Sequence, residues 1–491
     1  MPFAAGLWGA LQRDLPLLFP QIILIVTATV MLWPGDLFVP RGEKRRWAFV
    51  TVFALAVAAF TVAETPMGQG FNNMFQVDGI TKGFQYLVLA AGAITVLLSQ
   101  LQLNALAEQT VEYYALLLFS ISGMLFLVGS TDLVSIYFSL ELMALCIYIL
   151  VAYFRTQERS IEAGVKYFLL GAFSSGILLF GISLLFAAAG GVTTNLVELN
   201  ERLALAPPSS SLLVFLGVLM VLVGFCFKVA AVPFHMWSPD AYDGAPTPIT
   251  AFMSMAPKAA SLAAFLRVFG TGFNGVSSDW MAPLAFVAAA SMILGNIAAL
   301  KQQTMKRLLA YSSIAHVGYM LLGVMSAGSP GGPQAVWLYM FTYLIMQSGA
   351  FAIVIFLQGK GTGERIDDFR GLAKTRPMLA FAMMVVLLSL AGVPPLLGFF
   401  SKFYLFKLAI EQGHVTLTVI ALLTSAVAAY YYLAVVALMY FKEPAADAEP
   451  PRAMGTVTTW VVGLSCALIL LGICVMFQLT SEEDKRGHNL V

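Results

Sequence analysis

Of 491 residues, 59% are apolar and 11% are charged, and the formal net charge is +1. A soluble domain carries roughly 25% charged residues, so this composition belongs to a membrane protein. The near-zero charge, with basic residues spread over many loops, excludes a nucleic-acid partner.

Apolar runs of spanning length predict an all-α polytopic fold with about fourteen transmembrane helices. They lie at roughly 15–33, 47–63, 82–103, 113–130, 133–154, 161–189, 211–230, 246–271, 281–300, 305–327, 334–357, 378–410, 415–440 and 457–478. Span one lacks a small-residue cleavage site and reads as retained rather than as a signal peptide. Span twelve is too long for one straight crossing, and Pro394-Pro395 interrupts it.

Positive charge alternates between loops: Arg41, Lys44, Arg45 and Arg46, then Arg155 and Arg159, then Lys301, Lys306 and Arg307. Lys360, Arg365, Arg370, Lys374 and Arg376 follow in 358–377, then Lys442 and Arg452. Arg202 is the main exception on the other side. Basic loops face inward, so fourteen spans put both termini outside.

Cys146, Cys226, Cys466 and Cys474 stand singly in spans, without the paired spacing of an iron–sulfur or zinc site. Gly-Lys-Gly-Thr-Gly at 359–363 follows a span rather than a strand, so it reads as a linker and not as a nucleotide loop.

Spans four to eight (113–271) and nine to thirteen (272–440) read as two copies of one unit, after a three-helix segment (1–112) and before a last helix and tail (441–491). Five spans is an odd number, so the second copy is inverted, an arrangement found in transporters with sites at broken helices. Ala230-Ala231-Val232-Pro233 matches Ala391-Gly392-Val393-Pro394, and Asp132-Leu133, nine residues before Glu141, matches Arg307-Leu308, nine before His316. Proline removes a backbone donor and clashes with the preceding turn, so spans seven and twelve should break there. The freed carbonyls must face protein or water.

Glu141, Lys166, Lys228, Lys258 and Lys402 are ionisable residues inside apolar runs. A lysine at the bilayer centre costs about 2.5–3.5 kcal/mol on the lenient scale, so these residues point to charge movement, of protons above all. Lys258 lies ten residues after Pro248. That is about 15 Å of helix, half of a ~30 Å hydrocarbon core.

Lys402 and Glu141 reach similar depths by the same count, whereas Lys166 is shallower. Glu141 is a counter-ion for Lys228 if spans five and seven pack together, with Lys166 a competing partner. Burial disfavours an ammonium and a nearby carboxylate favours it, so joining or separating such a pair changes proton affinity. A static ion pair, and for Lys166 a snorkelling side chain, are the alternatives. His316 in span ten is either a proton relay or a hydrogen-bonded core histidine. His235 with Asp240 and Asp243 fits a mouth at the span-seven break. Tyr430, Tyr431 and Tyr432 fit either a polar path or aromatic packing.

Lys228-Val-Ala-Ala-Val-Pro-Phe-His-Met-Trp-Ser-Pro-Asp-Ala-Tyr-Asp-Gly-Ala-Pro-Thr-Pro248 and Lys306-Arg-Leu-Leu-Ala-Tyr-Ser-Ser-Ile-Ala-His-Val-Gly-Tyr319 resemble the motifs of the antiporter-like membrane subunits. That family holds three proton-pumping subunits of respiratory complex I (NADH:quinone oxidoreductase) and the large subunits of multisubunit sodium/proton antiporters. Gly398-Phe-Phe-Ser-Lys402-Phe-Tyr resembles the subunit N branch, where a lysine is followed by an aromatic residue. The chain stops soon after span fourteen, where the largest branch has a long lateral helix. The fourteen spans resemble bacterial or plastid forms, so a bacterial plasma (inner) membrane is expected.

The resemblance implies roles in proton translocation. Glu141 and Lys228 would form the first half-channel, with Lys166 the additional span-six lysine. Lys258 would be the central connector, His316 the link and Lys402 the terminal group of the second half-channel. It also implies an enzyme-complex subunit without a redox site of its own. NADH oxidation, FMN, iron–sulfur clusters and quinone would belong to partner subunits, and neighbouring antiporter-like and small subunits would surround this one in the bilayer. A sodium/proton antiporter subunit is the alternative.

Overall fold

Several spans begin where the chain supplies a cap or a proline and run while the sequence stays apolar. Asp132 caps span five, Leu133–Val151, accepting from Val134 N and Ser135 N. Thr304 caps span ten, Met305–Met325, accepting from Arg307 N. Pro377 opens the first half of span twelve from a first-turn position, where its missing donor costs nothing.

The computed structural model describes residues 12–33, 45–106, 111–205, 211–329, 331–358, 363–444 and 456–488, with backbone alone at 45, 101–106 and 473–488. Arg41, Lys44, the 359–362 part of the Gly-Lys-Gly-Thr-Gly run, Arg452, and the side chains of Arg45 and Cys474 lie outside the described residues.

Twelve helices among the described residues are long and apolar enough to cross a membrane. They match predicted spans one to eleven and thirteen, and the shorter apolar helices Pro377–Ala391 and Thr456–Gly472 fall in spans twelve and fourteen. Span twelve is split into Pro377–Ala391 and Leu397–Glu411, as its prolines require. Span seven, Ser211–Val229, stops before Pro233 and gives way to the short helix Trp237–Gly244. Spans eight (Thr247–Arg267), ten and eleven (Gly332–Gln358) are 94–100% buried, so they form the centre of the bundle.

The two copies carry the same tertiary pairings. Leu133 N donates to Thr194 O and Leu196 N to Thr131 O, tying the start of span five to the loop after span six. Met305 N donates to Glu364 O and Ile366 N to Gln303 O, tying span ten to the loop after span eleven in the same way. The breaks match too: Ala230 N bonds Phe227 O and Ala231 N bonds Cys226 O, whereas Gly392 N bonds Ser389 O and Val393 N bonds Leu388 O. Both are helix ends closed by a left-handed residue, Ala230 at φ 61° and Gly392 at φ 86°.

These bonds correct the register read from sequence. Ala230 corresponds to Gly392, not Ala391, because the left-handed residue fixes the helix end. Asp132 corresponds to Thr304, not Arg307, because both cap their helices, so the counterpart of Glu141 is Ser313 and not His316.

The short helix Leu196–Ala204 and a small hairpin were not foreseen. Gly68–Gly70 pairs antiparallel with Phe75–Val77 between spans two and three, turning through left-handed Phe71, Asn72 and Asn73. The turn receives bonds from Thr131 and Asn195 and donates to Asp14, and so clasps span one to the first repeat.

Candidate functional site

Lys228 sits in the last turn of span seven, two residues before the left-handed break, and its side chain is 2% exposed. Its Nζ lies 3.4 Å from Glu141 Oε1 and 3.3 Å from Ser175 Oγ, and Ser175 donates to the same carboxylate oxygen. The expected pair therefore exists, but the condition placed on it changes. Spans five and seven both pack along span six, Glu158–Ala188, and Ser175 of span six joins their two charges.

Lys166 does not compete for Glu141. It points outward, 47% exposed, and pairs with Glu162 at 2.7 Å and Asp240 at 3.1 Å. The reason is the helix face: Lys166 lies on the outer side of span six, opposite to Ser175. Asp240 also binds Arg307 at 3.1 Å, so it links spans six and ten through the segment after the break. Lys306, counted above as a loop cation, is buried and donates to Asp243 O at 2.7 Å and Ala245 O at 3.0 Å. Asp243 accepts from Thr304. His235, expected at a mouth with Asp240 and Asp243, is partly buried, has no hydrogen-bond partner on Nδ1 and makes no ion pair with either.

Lys258, in the fully buried span eight and directly after Pro257, donates to Ser313 Oγ. Ser313 also receives Tyr343 OH at 2.8 Å, and Gln347 Nε2 donates to Tyr343 OH at 2.7 Å. The Tyr242 ring, 5.7 Å from Lys258 Nζ, adds a cation–π contact.

His316 shares a hydrogen bond with Tyr339 OH at 2.8 Å, and its ring lies 5.2 Å from that of Tyr343 and 5.8 Å from that of Tyr319. Lys402 Nζ stands 5.3 Å from the Tyr319 ring and donates to Leu390 O, Ala391 O and Ser425 Oγ at 2.9–3.0 Å. Those two carbonyls end the first half of span twelve, where the helix dipole is negative.

His316 thus stands between the two lysines in space, packed on the Tyr343 ring beside Ser313 and on the Tyr319 ring below Lys402. Asn296 binds Tyr319 OH at 3.0 Å and accepts from Tyr431 OH at 3.1 Å, while Tyr432 bonds Ser312. Tyr431 and Tyr432 belong to the polar interior; Tyr430 faces outward.

Among the described residues, no carboxylate lies within ion-pair distance of Lys258 or Lys402; their partners are neutral oxygens. Cys146, Cys226 and Cys466 are free thiols.

Buried lysines thus sit on broken and central helices, with Ser313, Tyr343 and His316 between Lys258 and the Tyr319 ring under Lys402. The protein family described as NADH:quinone oxidoreductase/Mrp antiporter, TM, matches residues 130–428. An NADH-quinone oxidoreductase subunit N from Paramagnetospirillum magneticum is 42% identical over 468 residues, covering 93% of this chain and 94% of that one. The chain belongs to the NADH-quinone oxidoreductase subunit N family.

A chain of respiratory complex I from Thermus thermophilus, solved with bound aureothin, is similar at 34% identity with a TM-score of 0.76, covering 93% of this chain and 97% of that one. A chain of the Mrp complex from Dietzia shares the fold, with a TM-score of 0.78 at 22% identity over 94% of this chain and 95% of that one.

For a member of this subunit N family, the sequence reading missed Ser175, Ser313, Tyr343, Gln347, Tyr339, Asn296 and Ser425. The one available signal was the repeat: with the caps aligned, Ser313 falls at the Glu141 position.

Proposed function

We propose that the chain is a proton-pumping membrane subunit of an NADH:quinone oxidoreductase, carrying protons along Glu141, Lys228, Lys258, His316 and Lys402. The observation that carries this reading is the position of Lys228. It is a buried lysine two residues before a helix break, held by a carboxylate on a different span through a serine on a third. A shift of span six or of the break separates or joins that pair, and so changes the affinity for a proton that Lys258 and Lys402 then accept or release. Lys166 takes part at the outer surface of span six, through Asp240.

In this reading residues 113–271 and 272–440 are the two antiporter-like repeats, each supplying one half-channel. The chain has no redox role. FMN, iron–sulfur clusters and quinone belong to partner subunits, and neighbouring antiporter-like and small membrane subunits pack around it. The membrane is the bacterial plasma membrane, with both termini on the periplasmic side.

The test is a native gel of the tagged chain after mild detergent extraction, stained for NADH dehydrogenase activity. Co-migration with a large active band, together with loss of proton pumping in Lys228→Ala, is the expected result. A small band of hydrophobic partners, silent towards NADH, would replace this reading with a sodium/proton antiporter subunit.

A further inference from the structure

The two repeats solve the same problem with different chemistry. In the first, a buried lysine meets Glu141, nine residues past the capping Asp132. In the second, Ser313, nine residues past the capping Thr304, meets Lys258, the buried lysine that span eight of the first repeat sends across. The paired bridges at Asp132–Asn195 and Thr304–Arg365 fix this equivalence independently of sequence similarity. A hydroxyl thus stands where the first repeat has a carboxylate, and Tyr343 and Gln347 continue from it toward His316.

We infer that Ser313 is a catalytic residue of proton transfer, the neutral counterpart of Glu141, which takes the proton from Lys258 and passes it to the Tyr343 side. The inference rests on the proton-pumping reading above. A carboxylate would hold an ammonium at Lys258 by charge, whereas a hydroxyl binds the ammonium and the amine alike, because it both accepts and donates. It therefore binds Lys258 without trapping the proton there.

In the step itself an Nζ–H proton moves to Ser313 Oγ, and the hydroxyl proton of Ser313 moves to Tyr343 OH. The phenol proton of Tyr343 leaves for the His316 ring, whose centroid lies 5.2 Å from that of Tyr343 and whose Nε2 accepts it while Nδ1 stays bonded to Tyr339. Only protons move: Lys258 ends as an amine, Ser313 and Tyr343 end as hydroxyls again, and His316 ends as the cation. Lys402, likewise held by neutral oxygens, is the matching receiver beyond Tyr319.

The experiment compares Ser313→Ala, Tyr343→Phe, Ser313→Glu and Lys258→Ala in the assembled complex in membrane vesicles, reading NADH-driven proton pumping and quinone reduction from pH 6 to about 9. A positioned proton-transfer group contributes about 10²–10⁴-fold. At least about a tenfold loss of pumping is expected in Ser313→Ala and a smaller loss in Tyr343→Phe, with assembly unchanged. Ser313→Glu rebuilds the first-repeat pair around Lys258, so its remaining activity moves to higher pH, a displacement that a merely structural serine would not produce.

If Lys258→Ala abolishes pumping while Ser313→Ala and Tyr343→Phe match wild type, Ser313 is not in the path and the inference is overturned. If Ser313→Ala does not assemble, Tyr343→Phe decides, because it removes only one hydroxyl. Normal pumping in Lys258→Ala would overturn the proton-pumping reading itself, and this inference with it.

Discussion

Lys228 Nζ stands 3.4 Å from Glu141 Oε1, and Ser175 Oγ of the span between them touches both. Lys228 is 2% exposed and Glu141 23%, so the lysine is the buried member and the carboxylate opens toward the outer face of the bundle. Removing one partner of a buried pair costs about 3–5 kcal/mol, because the other charge stays behind. Glu141→Gln should therefore lose most proton pumping, at least about tenfold for each 1.4 kcal/mol of altered barrier, with Glu141→Asp intermediate. Ser175→Ala removes bonds worth about 0.5–1.5 kcal/mol and should cost only a few-fold. Fluorescence-quench assays of pumping, normalised to NADH oxidation, measure both. Unchanged proton-to-electron stoichiometry in Glu141→Gln would remove the pair from the mechanism.

The two helix breaks differ in one residue at the left-handed position, and that difference is testable. Ala230 adopts φ 61° and Gly392 φ 86°. A side chain at left-handed φ costs about 1–2 kcal/mol, partly offset by the greater entropy that glycine loses on folding. Ala230→Gly should raise stability by up to about 1 kcal/mol. Gly392→Ala should lower it, and its new Cβ would stand 2.9 Å from Lys402 Cδ, displacing the lysine from the Leu390 and Ala391 carbonyls. Thermal unfolding of the purified complex reads the first effect, and pumping reads the second. Wild-type pumping in Gly392→Ala would show that the position of Lys402 is not critical.

Glu141, Lys228, Lys258 and Lys402 were legible because an ionisable residue in an apolar run is costly and stands out against its neighbours. Pro233 and Pro394-Pro395 were legible for a similar reason, since proline removes a helix bond and crowds the preceding turn, although Pro257 and Pro283 sit inside continuous helices. Lys166 carried the same one-dimensional signal, yet span six is apolar nearly all round, so nothing in the sequence says which face the lysine takes. Tyr343 and Asn296 give no signal at all, and Ser313 gives one only once the two helix caps are aligned. A hydroxyl or amide in a helix can bond the carbonyl one turn back, as Ser291 and Asn296 do, and only packing reveals a second partner. The repeat register slipped because a four-residue match is weaker than a cap or a left-handed residue, and neither of those is visible before folding. The 68–77 hairpin escaped because its strands are three residues long.

Asp78, just before span three, and Arg267, in the last turn of span eight, make a two-pronged contact at 2.8 and 2.9 Å, and Arg267 also bonds Val128 O. Burial pushes the Asp78 carboxyl up, but Arg267 and the bonds from Thr81 outweigh it and leave the group below its ordinary value. A carboxylate lowered by folding stabilises the fold fully above its unfolded value, about 3.9, and loses that contribution as pH falls through the folded value. Wild-type protein should therefore lose melting temperature below about pH 4, and Asp78→Asn should lose less over the same window while starting lower at neutral pH. Identical acid profiles for the two would show that the Asp78–Arg267 contact does not contribute to holding span eight.

Asp240 ties Lys166 of span six to Arg307 of span ten, each at 3.1 Å, from the helix that follows the span-seven break. It is the one carboxylate among the described residues with ion pairs to two different spans, so its loss should matter more than the loss of either cation. Lys166 keeps Glu162 at 2.7 Å when Asp240 is gone, and Arg307 keeps Gln302. Neither cation is therefore stranded, and the fold should survive Asp240→Asn. What the variant removes is the mechanical link between span six, which carries Ser175, and the second repeat. Asp240→Asn should assemble normally and lower coupled quinone reduction several-fold, Lys166→Ala should lower it less, and the double variant should match Asp240→Asn alone. Additive losses in the double variant would mean that Lys166 and Asp240 act separately, and that the contact between them carries no coupling.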